Sequence, residues 1–272
     1  MTDTSIRENE FSLLHLVPTV LRARDFRLYT PKGRLVDLWQ NGGAAILGHT
    51  PPSLLNELKN TASRGLYAPF PHFLEARYYK ALSRIFPGRN FRLYAAWPPQ
   101  LAELVAAGSA ALWRPFLDSA LPLAVPDNAP PVLIPVVPGI QGWSDALPSG
   151  LCVIAFDPSF EKETVLCPGS FLPPVLLAVA ARGIHDLIAS APVRAKPVFS
   201  RIAKALKYST MWQRRGLYLT LKQEATPEKW AVLFSRFLEA GFLLPPVPAQ
   251  PAILPGILSP GEEAKLAELL AQ

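Results

Sequence analysis

The residues of this chain that could do chemistry are few and scattered. Its four histidines, His15, His49, His72 and His185, stand singly and give no metal-ligand spacing. Each is expected to be a satisfied structural histidine rather than a ligand or a base. Cys152 and Cys167 flank a short apolar stretch without CxxC spacing, so two free buried thiols are expected instead of a disulfide or a metal site. No GxSxG elbow, HExxH helix or phosphate-binding GxxxxGK loop occurs. Two polar groupings remain. Trp39-Gln40-Asn41 sets two amides beside an aromatic ring and ahead of Gly42-Gly43, with His49 a few residues on. Such a set suits a small-ligand pocket, and it equally suits a strand-end turn with Asn in a left-handed position.

The second grouping is basic. Between Arg182 and Arg215 eight cations face a single acid, Asp186, and this segment alone accounts for the chain's net charge of +6. In a helix expected over Val198–Trp212, Arg201, Lys204 and Lys207 share one face while Val198, Ile202 and Leu206 line another. Arg214 and Arg215 follow at the end, where cations complement the helix dipole. A solvated amphipathic face is the plain reading. The functional reading is a site for a small anionic metabolite or an acidic protein surface. Nucleic acid is not expected, because no binding motif or aromatic-interleaved basic stretch accompanies the charge.

The elements that must position these residues are legible in outline. Half of the 272 residues are hydrophobic and 18% are charged, the composition of a packed globular chain. Thirty prolines, about twice the usual share, punctuate the apolar runs and call for short strands and stiff connections. Phe26–Leu38 reads as a hairpin turning at Pro31-Lys32-Gly33. Helices are expected near 51–62, over 72–85, 101–116, 172–190, 198–212, 227–240 and 260–271. Strands are expected over 91–96, 132–137, 151–156 and 216–222. No apolar run reaches the roughly 18–20 residues of a membrane span, since Arg182, His185 and Asp186 cut the best one. The polar start, Met1–Glu10, is not that of a secretory signal, so a cytoplasmic location is expected.

Several of these pieces resemble the class III, fold type I pyridoxal-phosphate aminotransferases, the group that includes glutamate-1-semialdehyde aminomutase. Gly33-Arg34-Leu35-Val36-Asp37-Leu38, then Gly42-Gly43-Ala44-Ala45-Ile46-Leu47-Gly48-His49 and Pro52, is similar to the family's early signature. Gly65-Leu66-Tyr67-Ala68-Pro69 with Glu75 resembles its next segment, and Phe237 to Pro246 its entry to the C-terminal subdomain. The resemblance covers about the first 115 and the last 80–100 residues. It implies an α/β, aminotransferase-like fold with a reduced central large-domain layer and a small α+β domain from both chain ends. The expected parts are residues 1–90, 91–192 and 193–272. It also implies a homodimer, and it places Trp39-Gln40-Asn41 at the mouth of the family's active site.

The departures argue against pyridoxal-phosphate chemistry. Where the family has a Ser-Gly turn whose N–H groups hold the cofactor phosphate, this chain has Tyr94-Ala95-Ala96-Trp97-Pro98-Pro99. Two prolines there delete two donors. Asp157 matches the aspartate that pairs with the pyridine nitrogen, but Asp before Pro158 also reads as a turn residue. Lys162 and Lys196 are the candidates for the Schiff-base lysine, and neither lies in the Gly/Ser-rich loop that such a lysine requires. The position of a carboxylate-gripping arginine falls on Ala252. The expected protein is therefore non-catalytic, takes no cofactor, and binds a small anionic metabolite or a protein partner. A pyridoxal-phosphate enzyme with a relocated lysine and a structural subunit beside a full-length aminotransferase are the alternatives.

Overall fold

The structure is a computed structural model and describes residues 12–112, 132–134, 151–160 and 166–271. The described residues form two compact units. One is built from both chain ends, up to His49 and from Pro192 onward, and the other from the middle, Thr50 to Ala191. Residues 50–90, grouped above with the N-terminal part, cluster with the middle. The reason is burial: Tyr78, Ala81, Leu82, Ile85 and Phe86 are fully buried there.

In the unit of chain ends, β1 (Arg22–Arg24), β2 (Arg27–Thr30) and β3 (Gly33–Asp37) form an antiparallel meander, and β10 (Phe242–Leu243) adds to β3 in parallel. The turn between β2 and β3 is closed by Thr30, whose hydroxyl donates to the Gly33 carbonyl and accepts from the Lys32 N–H. Gly33 has φ +128°, open to glycine without strain. A second sheet pairs β8 (Trp212–Arg215), β9 (Tyr218–Leu221) and β11 (Ala252–Ile253), all antiparallel. The chain ends are laced by backbone bonds. Val36 N–H donates to Gly241 O, Leu38 N–H to Leu243 O, and Ile253 N–H to Leu38 O.

Three helices complete this unit: α5 (Ser200–Tyr208), α6 (Pro227–Glu239) and α7 (Pro260–Leu270). Proline at the first position of α6 and α7 costs nothing, because that N–H has no helical partner. Thr226 caps α6, and Ser259 and Glu262 form a reciprocal capping box on α7. The basic helix expected to reach Trp212 stops at Tyr208. Trp212 is buried, its N–H donates to the Ser209 hydroxyl, and the chain turns into β8, whose hairpin with β9 reverses through Gly216 at φ +59°.

Glu262 also receives both Nε–H and Nη2–H of Arg27, at 3.0 and 2.6 Å, joining α7 to β2. Burial by itself would raise the Glu262 pKa. The Arg27 bonds and those from Ser259 outweigh it and hold the carboxyl at about 2, against an ordinary value of 4.5. A depressed carboxylate stabilises the fold above its ordinary pKa and loses that contribution as the pH falls from about 4.5 towards about 2. Glu262→Gln is expected to cost about 1–2 kcal/mol at pH 7, the pair being partly screened by solvent. Urea midpoints at pH 7 and pH 3 should show that cost shrinking in acid.

In the middle unit, β4 (Asn90–Tyr94) and β6 (Val132–Ile134) flank β7 (Cys152–Phe156), antiparallel on both sides, and β5 (Ala111–Leu112) runs parallel to β6. Every residue of β7 is buried, as befits the inner strand. Around the sheet lie α1 (Pro52–Ala62), α2 (Phe73–Leu82), α3 (Pro99–Ala106) and α4 (Pro174–Arg194). α3 was expected to run to Phe116 and ends at Ala106. Gly108 takes φ +68°, and the N–H groups of Ser109 and Ala110 fold back onto Leu104 O. By length and composition α4, at 21 residues, could cross a membrane, where no such span was expected. Leu177, Ala181, Ile184 and Leu187 on it are buried inside this unit. Cys152 is buried but Cys167 is only half-buried, a departure from the expected pair of buried thiols; both are free.

Candidate functional site

Asp37 ends β3 and is the buried hub of the chain-end unit, 2% exposed. One carboxylate oxygen accepts from the N–H groups of Trp39 and Gln40, at 2.9 and 2.8 Å. The other lies 2.8 Å from Nε2 of His49. An ionised carboxylate only accepts, so the imidazole carries its proton at that nitrogen. His49 is presented by Gly48, at φ +91°, where a Cβ would come within 3.3 Å of the Asp25 backbone, and its own N–H donates to Asp25 O.

The turn that Asp37 caps is strained. Gln40, Asn41 and Gly42 have φ of +50°, +48° and +63°, three left-handed residues in a row. Asn tolerates this region; Gln does not, at a cost of about 1–2 kcal/mol. The conformation is held from both sides. Gln40 is fully buried and its Nε2 donates to Ile253 O, while Trp39 Nε1 donates to Gln250 Oε1 at 3.0 Å. Oε1 of Gln40 is buried with no hydrogen-bond partner among the described residues. Strain and an unpartnered buried polar atom are features that cluster at binding sites.

Beside this turn opens a cleft of about 350 Å³. Asp37, Trp39, Asn41 and His49 form its polar side, and Val17, Leu28 and Leu243 contribute to an apolar one. Its size and character suit a small ligand with an apolar body and a polar head. The structure therefore brings Trp39, Asn41 and His49 together, with Gln40 buried behind them. Asp37, absent from the sequence-derived site residues, organises all of these. Its signal was the spacing to His49, which reads as motif and not as contact until the chain folds.

The basic candidates do not line the cleft. Arg201 and Lys204 project from α5 as exposed residues, and Arg201 N–H donates to Glu263. Arg214 stacks over Phe199, 5.0 Å from the ring centroid, and its Nε donates to Gly216 O. Burial lowers its pKa. Arg215 is exposed.

The turn that the resemblance implies for a cofactor phosphate is filled by a side chain. In the turn between β4 and α3, Trp97 packs against the core of Tyr94, Leu101, Cys152 and Phe156. Leu101 N–H is already bonded to Pro98 O, so few free donors remain for a phosphate. Oδ1 of Asp157 accepts from both the N–H and the hydroxyl of Ser159, which draws its pKa down. Lys196 is exposed in the turn after α4, and its N–H donates to Val193 O. Lys162 lies outside the described residues. Ala252, where a substrate arginine would stand, is buried in β11 opposite Leu219.

No family model matches the chain. It is 28% identical over 278 residues to an uncharacterized protein of Treponema pallidum (strain Nichols), covering 87% of this chain and 88% of the relative. A second uncharacterized protein, from Borreliella burgdorferi, is 35% identical over 78 residues, which is 28% of this chain and 29% of that protein. Among solved structures, Plasmodium falciparum ornithine delta-aminotransferase superposes with a TM-score of 0.65 at 11% identity, over 100% of this chain and 97% of that one. Acetylornithine aminotransferase from Elizabethkingia anophelis gives 0.63 at 11% identity, over 97% and 98%. Likeness at such identity establishes the fold, and the fold is aminotransferase-like.

Proposed function

We propose that this aminotransferase-fold chain is a non-catalytic binding protein, a shortened relative of the class III enzymes that takes a small ligand in the Asp37–His49 cleft. The observation that carries the reading is the turn from Tyr94 to Pro99. Anion binding at a helix start needs several free N–H groups aimed at one point. Here two are removed by proline, one is spent on Pro98 O, and Trp97 packs beside them. A fold does not carry an activity by itself, and a cleft can outlast one. In the cleft, the apolar wall would hold the ligand's body while Asn41 and His49 meet its polar head. Asp37 would fix the imidazole in one tautomer. A homodimer in the cytoplasm is part of the same reading, as is a ligand that is an anionic metabolite.

The test is an absorbance spectrum of the purified protein with and without pyridoxal phosphate, followed by borohydride reduction and peptide mapping. A spectrum unchanged at saturating cofactor is the expected result. A Schiff-base band mapped to Lys162 or Lys196 would overturn it and make the chain an enzyme with a relocated lysine.

A further inference from the structure

The middle unit carries a charge arrangement that its own residues leave incomplete. Three helices contribute. α1 supplies Ser53 and Glu57, α2 and the turn after it supply Arg77 and Arg84, and α4 supplies Arg182, His185 and Asp186. The two acids are already engaged. Glu57 accepts from Arg77 Nη1 at 2.9 Å. Asp186 pairs with Arg182 Nη2 at 2.7 Å and accepts the Ser53 hydroxyl through its other oxygen. Among the described residues Arg84 has no carboxylate partner, and its guanidinium donates to Nδ1 of His185 at 3.2 Å.

That contact fixes the state of the imidazole. A guanidinium only donates, so Nδ1 must accept, His185 is neutral, and its proton sits on Nε2. Its pKa is lowered, by burial first and then by Arg84, Arg77 and Arg182, with Asp186 opposing weakly. Arg84 is exposed and keeps further N–H groups beyond that bond. Among the described residues of the cluster, three guanidiniums against two carboxylates leave one uncompensated positive charge, and protonating His185 would make it two. Arg182 adds a further mark, since its Nε is buried with no hydrogen-bond partner among the described residues. Unmatched cationic donors grouped on rigid helices, rather than scattered along a loop, are the arrangement that binds an oxyanion.

We infer that Arg84 and His185, flanked by Arg77 and Arg182, form a binding site for a tetrahedral dianion of the phosphate-monoester class. Arg84 supplies the forked donors, and His185 adds an N–H at Nδ1 once that nitrogen is protonated and releases Arg84. The bound dianion replaces the missing carboxylate. The site shares no residue with the Asp37–His49 cleft and does not depend on the absence of a cofactor, so it stands or falls separately from the reading above.

Anion binding and His185 protonation are linked. A dianion that contacts the imidazole favours the imidazolium, so it must raise the pH at which His185 titrates, and lowering the pH must tighten binding. The probe is sulfate, which stays dianionic across the range, with chloride at matched ionic strength as control. The readout is the His185 ring proton shift followed by NMR from pH 5 to 8, assigned by its loss in His185→Asn. Sulfate is expected to move the His185 midpoint upward by about half a unit to one unit, corresponding to a roughly three- to tenfold tighter hold on the protonated form. His15, His49 and His72 should not move. In Arg84→Gln, an exposed position beyond the end of α2, the sulfate effect should fall at least threefold while the far-UV spectrum is unchanged. Inorganic phosphate at pH 7.5 should displace sulfate in the wild-type protein. The inference is overturned if sulfate moves His185 no more than chloride does. It is equally overturned if Arg84→Gln leaves the sulfate effect intact, or if all four histidines shift together.

Discussion

Alanine in place of Asp37 is expected to destabilise the chain-end unit by about 3–5 kcal/mol, the cost of removing one partner from a buried polar network. Three donors lose their acceptor at once: the N–H groups of Trp39 and Gln40, and Nε2–H of His49. The first two sit in or next to a left-handed turn that would otherwise relax, so the loss reaches the backbone conformation and not the side chain alone. Asn at the same position keeps an acceptor for the two N–H groups but turns an amide donor towards His49, which must then change tautomer. It should cost about 1–2 kcal/mol. Urea unfolding followed by tryptophan fluorescence measures both, because Trp39 stands beside the turn. An alanine variant within about half a kcal/mol of wild type, the range of a neutral surface change, would remove Asp37 from the centre of the site.

Truncating Trp230 to alanine should cost a further large sum, about 3–5 kcal/mol, typical of an aromatic residue deleted from a close-packed core. Trp230 is 2% exposed, its ring centroid lies 6.2 Å from that of Trp212, and Trp212 in turn lies 5.8 Å from Phe237. The three rings pin α6 to the β8–β9 hairpin. Indole Nε1 also donates to Pro245 O at the entry to the last part of the chain. Trp230→Phe therefore separates volume from hydrogen bonding. It keeps most of the contact, loses the donor, and should cost about 1–2 kcal/mol. Equal losses in the two variants would show that the hydrogen bond, and not the packing, holds this corner together.

Most elements were legible because they rest on local rules. The β2–β3 hairpin announces itself through alternation and a Pro-Lys-Gly turn, and α6 and α7 through Thr226-Pro227 and Ser259-Pro260 at their starts. Local reading failed where a nonlocal contact set the boundary. The amphipathic run after Ser200 continues past Tyr208 in sequence, but burial of Trp212 and pairing of Gln213 with Thr220 end the helix. The grouping of residues 50–90 failed for a similar reason, since the partner of Ser53 in α1 is Asp186, 133 positions away.

The sequence by itself determined the element order and a polar turn at Trp39-Gln40-Asn41 beside His49, while the aminotransferase-like fold was implied by its resemblance to a known family. Those follow from periodicity, caps and motif order, which lie within a few residues of one another. Only the tertiary structure decided what the polar residues do. It drew Gln250 and Ile253 against the turn, made Asp37 its hub, and withheld the basic residues of α5 and β8 from the cleft. It also set Arg84 against His185 across 101 positions. Hydrogen bonds and charge pairs act over a few ångströms in space, and linear spacing does not record which residues come that close.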